Sequence, residues 1–188
     1  MRARCLVTAL IMEYKLWALL LLIADRDGLR KARPGTQGCV LDAGAHDGAT
    51  SVMLVNALRR LKLVVHALEP LTSNVAVAQR RAQHMTDLYV YRMALGAVDG
   101  GTGHYPAEYD ETKSSLHLQI ARFRSHDNDG NASYPITTID ALFDNEMKRT
   151  LVLAHLDLEG READALRGAN ATLRRDRPVL TVETFPSS

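Results

Sequence analysis

The stretch Val40-Leu41-Asp42-Ala43-Gly44-Ala45-His46-Asp47-Gly48 decides how this chain is read. A short apolar run, Cys39-Val40-Leu41, leads into an aspartate and then a glycine loop. After the loop, Met53, Leu54, Ala57, Leu58 and Leu61 recur at helical spacing. A strand, a glycine turn and a helix in that order hold nucleotide-like ligands. Glycine lets backbone come close to a ligand, and the helix start offers unpaired N–H groups. Twenty-one residues past Gly48, the apolar run Leu63 to Leu68 ends in Glu69-Pro70. A carboxylate at such a strand end can accept from both hydroxyls of a ribose. The pattern therefore predicts a site for an adenosine-containing cofactor.

Working outward, apolar strands are expected at 38–42, 63–68, 88–92, 150–156 and 178–183. Helices are expected at 49–61, 72–86, 138–148 and 161–174, the last with Ala163, Leu166, Ala169 and Leu173 inward. Thr137-Thr138-Ile139-Asp140 reads as a capping box that opens the third of these. Strands alternating with helices imply an α/β fold with a parallel sheet and right-handed crossovers. Residues 96–135 break the rhythm and read as a long excursion with one short strand pair and a short helix near 116–124. Residues 1–32 read as an N-terminal helical segment, and 33–188 as the cofactor-binding domain.

Composition narrows the class. The chain has 188 residues, enough for one domain with its own core. Its 23 basic and 22 acidic residues nearly cancel, so no nucleic-acid surface is expected. The pairs Arg59-Arg60, Arg80-Arg81 and Arg174-Arg175 read as solvated helix faces. Cys5 and Cys39 form no CxxC, which removes zinc-ribbon and thioredoxin-like readings. Residues 5–24 are largely apolar, but Glu13 and Lys15 interrupt them, and the longest clean run, Leu16 to Ala24, is nine residues. A membrane span needs about 20. A cytoplasmic protein is expected, with membrane association or secretion through residues 5–24 as the alternative.

Three acidic strand ends, Asp42, Glu69 and Asp157, carry the chemistry. In a doubly wound sheet the ligand crevice lies at the carboxyl ends of the strands, beside the point where strand order reverses. If the fourth strand lies beside the first, Asp42 and Asp157 flank that crevice. Bland roles compete with this one: Asp42 as a turn cap, Glu69 near a helix start, Glu159 and Glu162 as first-turn acids. The histidines show no metal-ligand spacing, and no metal site is expected.

These blocks together resemble the FkbM-type family of S-adenosylmethionine-dependent methyltransferases. Leu41 to Ser51 is similar to the family's Asp-x-Gly-Ala-x-x-Gly loop. Ala67-Leu68-Glu69-Pro70, with Asn74 following, resembles its Phe-Glu-Pro signature. Ala94-Leu95-Gly96, Ser114-Ser115-Leu116 and Thr137-Thr138-Ile139-Asp140 resemble its middle blocks. Leu156-Asp157-Leu158-Glu159-Gly160-Arg161-Glu162, Leu166-Arg167-Gly168-Ala169, Arg177-Pro178 and Val182-Glu183 are similar to its C-terminal block. His46 stands where many members carry Asn.

The resemblance implies a Rossmann-like methyltransferase fold with strand order 3-2-1-4-5. It also implies a final antiparallel hairpin, expected to be missing here, so the expectation is either a fragment truncated at the C-terminus or a shortened form whose exposed sheet edge invites a homodimer. It implies S-adenosylmethionine as cofactor, held by Asp42, Gly44, Ala45, Asp47, Gly48, Glu69, Pro70 and Asn74, with Met93 and Ala94 bordering the adenine. Methyl transfer to a hydroxyl of a small molecule or sugar would take place beside Asp157, Glu159 and His155, any of which can serve as the proton acceptor. Two rivals stay open: a non-catalytic cofactor-binding or dimerisation module, and an NAD-type oxidoreductase. The second lacks its usual loop, since Gly44 and Gly48 do not make G-x-G-x-x-G.

Overall fold

The first strand, β1 (Gln37–Ala43), buries six consecutive residues after Gln37. Such a strand has to be covered on both faces. In the computed structural model, which describes residues 32–104, 133–144 and 149–183, β1 is the centre of a five-stranded sheet. Around it stand β2 (Val64–Leu68), β3 (Leu88–Tyr91), β7 (Arg149–Leu156) and β8 (Val179–Val182), in the order β3-β2-β1-β7-β8. All four pairings are parallel. This is the expected 3-2-1-4-5 order, since β7 and β8 are the fourth and fifth strands of the main sheet. Strands β4 (Ala94–Leu95), β5 (Gly101–His104) and β6 (Ser133–Thr137) form a second, three-stranded sheet. The expected strand pair of the excursion is β5 with β6, which run antiparallel.

Alternation divides the core into two layers. Val40, Val65 and Leu153 meet Leu54, Val55 and Leu58 of helix α1 (Ala49–Leu58), with helix α2 (Thr72–Ala82) alongside. Leu41, Leu151 and Leu156 meet the opposite layer, built from α3 (Ile139–Leu142), α4 (Glu162–Arg167) and α5 (Asn170–Asp176). Cys39 is fully buried there, and burial pushes its thiol up to about 11, so it acts as an apolar filler.

The helix expected over 161–174 is two helices. Asp140 causes the break: its carboxylate accepts from the backbone N–H groups of Ala171 (3.0 Å) and Thr172 (2.7 Å), capping α5 from a distant part of the chain. The expected capping box is accordingly redistributed. Thr138 caps α3 by accepting from Ala141 N–H at 3.1 Å, while Asp140 serves α5. Ala165 faces the core, and Ala163, expected inward, is exposed. The expected 72–86 helix ends at Ala82, and the described part of the 138–148 helix is the four residues of α3.

Arg175 is not a solvated face residue. It grips Asp176 through Nε (2.8 Å) and the Phe143 carbonyl through Nη2 (2.5 Å). The Asp176 side chain, fully buried, also accepts from Leu151 N–H and pairs with Arg33 at 3.2 Å. Burial would raise the Asp176 carboxyl, but these partners outweigh it and hold it below its ordinary range. The start of the described domain is thereby locked to the base of β7. The expected helical segment at 1–32, apart from its last residue, and the helix near 116–124 lie outside the described residues. Among the described residues no helix is long and apolar enough to cross a membrane.

Gly48 opens α1 at φ 79°, and a Cβ there would come within 2.8 Å of the Ala78 Cβ on α2. Gly48→Ala combines left-handed strain with overpacking between two helices. It is expected to cost about 2 kcal/mol or more in urea denaturation, without changing the denaturant slope.

Candidate functional site

Three strand ends are laced together by their backbones. Gly44 and Ala45 both donate N–H to the Leu68 carbonyl, at 2.9 and 3.0 Å, and Asp157 N–H donates to the Ala43 carbonyl at 3.0 Å. Gly44 has φ 84°, and a Cβ on it would fall 1.8 Å from the Asp157 carbonyl oxygen. The glycines of the loop thus permit close approach of chain to chain: Gly44 to the end of β7, Gly48 to α2.

Strand alternation puts Asp42 on the same side of the sheet as Val40, facing α1. Its side chain is fully buried. Oδ2 accepts from the Ser51 hydroxyl at 2.5 Å, while Oδ1 has no protein partner. Burial pushes its carboxyl above the ordinary range, against the Ser51 bond and the nearby His155, while Asp157 and Glu69 push in the same direction as burial. His155 is the register partner of Asp42 across β1 and β7, and Thr181 is the partner of His155 across β7 and β8. His155 Nδ1 and Thr181 Oγ1 lie 2.9 Å apart. Asp157 follows His155 by two residues and projects from the same side.

Glu69 is 5% exposed and already engaged. Oε2 accepts from His46 N–H at 2.9 Å; Oε1 accepts from Leu71 N–H at 2.9 Å and from the Asn74 amide at 3.4 Å. Burial raises its carboxyl and these donors lower it, burial prevailing. Glu69 therefore shapes the loop after β1 and the approach to α2. With two donors on Oε1 and one on Oε2, it is Oε2 that has a lone pair to spare for a ribose hydroxyl.

Asp47 has another set of partners. Oδ1 accepts from Ala49 N–H at 3.0 Å at the start of α1, and Oδ2 pairs with Arg81 of α2 at 2.5 Å. Pro70 sits partly buried in the turn after Glu69. Met93 packs on the α3–α5 core layer, and Ala94 on the small cluster of Leu71 and Tyr134. Glu159 holds a left-handed conformation at φ 52°, uncommon for a residue with a side chain. Burial raises its carboxyl, and the charges of Asp157 and Glu162 add to that. Glu162 folds back instead: Oε1 accepts from Leu158 N–H (2.8 Å) and Gly160 N–H (3.2 Å), pinning the turn that carries Glu159.

A further acid belongs here. Glu183 follows β8, and its N–H donates to the Leu156 carbonyl at 2.9 Å, so it emerges beside Asp157. A hydrogen bond to Asp157 pushes its carboxyl up to about 8, with burial and the charges of Asp157, Glu159 and Glu162 adding to the effect. The rule that singled out Asp42, Glu69 and Asp157, an acid closing a core strand, applies equally to Glu183. The structure thus brings Asp42, Glu69, His155, Asp157, Glu159 and Glu183 to one end of the sheet. Among the described residues no group of histidines, cysteines and acids has metal-binding geometry.

A family profile described as the methyltransferase FkbM domain matches residues 42–187. The chain belongs to this FkbM methyltransferase domain family. A solved structure, the methyltransferase FkbM from Methylobacillus flagellatus KT, is similar at 20% identity and a TM-score of 0.52, over 78% of this chain and 32% of that one. At that identity the likeness is one of fold, and the chain spans about a third of that protein's length. None of the curated proteins compared matches it. The FkbM match opens on Asp42 and takes in every acid of the strand-end cluster described above.

An unpaired buried carboxylate destabilises a ligand-free site. A carboxyl raised by folding adds stability that is complete below its unfolded pKa and is lost as pH rises through the folded value. Asp42→Asn keeps an oxygen for Ser51 and removes the charge. It is expected to raise the melting temperature of the ligand-free protein by a few degrees at neutral pH. The gain should shrink toward the ordinary carboxylate range on acidification, as scanning calorimetry across pH would show.

Proposed function

We propose that this FkbM-family domain transfers a methyl group from S-adenosylmethionine to a hydroxyl oxygen of a small molecule or sugar. The observation that carries the reading is the fully buried Asp42 with Oδ1 unpaired, in a crevice that gathers further acids at neighbouring strand ends. A buried carboxylate without a partner awaits a donor or a cation. The cofactor has both in its ammonium and sulfonium groups, and its nucleoside suits the single lone pair left on Glu69 Oε2. The donor set therefore fits the group. Gly44, Ala45 and Gly48 shape the loop beside it; Asn74 steadies Glu69 from α2; Pro70, Met93 and Ala94 flank the neighbouring strand ends, where the family resemblance puts the adenine.

Bound S-adenosylmethionine supplies an electrophilic methyl carbon. The protein contributes alignment and proton transfer. Holding an acceptor oxygen in line with the methyl–sulfur bond is worth roughly 7 to 11 kcal/mol of barrier at best. A carboxylate of Asp157 or Glu159, or the His155 ring, takes the hydroxyl proton as the new oxygen–carbon bond forms and the carbon–sulfur bond breaks. Acids around the crevice favour cationic cofactor over its neutral product. The oxygen acceptor follows from the family resemblance.

Titration calorimetry tests the cofactor assignment. S-adenosylmethionine and S-adenosylhomocysteine should both bind in the micromolar range. Asp42→Ala and Glu69→Ala should each weaken binding about tenfold or more, the scale of losing one hydrogen bond to a charged group. No heat with either ligand at millimolar concentration would remove the proposal.

A further inference from the structure

The proton of the Glu183–Asp157 pair has a consequence for ligand choice. The register Leu156 with Val182, and the Glu183 N–H on the Leu156 carbonyl, set the two carboxyl groups side by side at adjacent strand ends. Continued by one residue, that register sets Asp157 opposite Glu183, and the Asp157 carboxyl raises that of Glu183. Two adjacent carboxylates repel, and one proton held between them relieves that repulsion. We propose that Glu183 holds this proton and donates it to Asp157 in the cofactor-free protein, and releases it to solvent when a sulfonium-bearing ligand enters. The site then tells charged cofactor from neutral thioether product.

The surrounding charges point the same way. From β1, Asp42 faces the crevice, fully buried and with Oδ1 unpaired. From β2 comes Glu69, and from β7 His155 with Asp157. From the turn before α4 comes Glu159, and from the first residue of α4 Glu162, both bearing on Glu183. The neighbouring Arg161 bonds Asp164 at 3.2 Å. In so acidic a setting a second full charge on the pair is costly until a cation arrives to offset it. Glu183 itself is exposed, so its proton has a direct path to water. The same neighbours push the Glu183 carboxyl up to about 8.

This inference rests on the cofactor reading above, and the test separates the two. The full chain is titrated with S-adenosylmethionine and with S-adenosylhomocysteine at pH 7, in buffers of different ionisation enthalpy. The heats then give protons exchanged per ligand. The sulfonium lowers the ammonium pKa of its own ligand, so each free ligand is titrated alone and its own proton exchange is subtracted from the counts and from the affinities at each pH. We expect the sulfonium ligand to release more protons than the thioether, by up to about one per site, and Glu183→Gln to abolish the difference while binding both. In the wild-type protein the ratio of the two affinities should rise with pH, by up to about tenfold per unit below the Glu183 titration, and level off above it. That series needs no variant. Equal proton counts for two bound ligands, a flat affinity ratio, or a difference that survives in folded Glu183→Gln would overturn this inference alone. Failure of both ligands to bind would overturn it together with the cofactor reading.

Discussion

The contact between Gly44 and the Asp157 carbonyl is the constraint on which the site depends. It is the point where β1 and β7 part, and a single methyl group there would collide with backbone. Because Gly44 has no Cβ, Asp157 N–H can reach the Ala43 carbonyl, and the strand ends converge instead of splaying. Every acid of the crevice takes its place from that junction. Asp42 precedes it on β1, Asp157 follows it on β7, and Glu183 is carried in by β8 one strand further out.

Burial gives these acids their chemistry. A carboxylate in the interior has to find donors or hold its proton. Glu69 takes the first course, accepting from His46, Leu71 and Asn74. Glu183 is exposed, and the neighbouring Asp157 carboxyl is the main cause that raises it. Asp42 does neither fully, with one oxygen on Ser51 and the other unpaired. Glu69 and Asp42 are thus two answers to one desolvation problem. A site tuned in this way sacrifices some stability for function, which is usual where charge has to be handled.

The loop after β1 resolves differently from its sequence signature. Asp47, matched to the cofactor loop of the family, turns to α1 and to Arg81 of α2. Gly48 makes room for Ala78 of α2. Much of the loop's sequence thus also serves helix packing. Glu162, whose bland role as a helix-start acid competed with a chemical one, pins the Leu158–Gly160 turn.

What the sequence by itself determined was the parallel sheet and the acids that close its strands, the strand order coming only with the family resemblance. Those follow from local facts: apolar runs, helical spacing and glycine turns are written in neighbouring residues. The tertiary structure alone decided which of those acids meet. A one-residue irregularity between Cys39 and Val40 shifts the β1–β7 register, so that Asp42 stands opposite His155, where the uninterrupted register would set it opposite Ala154. The split of the last helix pair is likewise decided at a distance, by Asp140 reaching α5 across 31 and 32 residues of chain. Register and long-range capping depend on how two surfaces pack, and no window of consecutive residues contains that information.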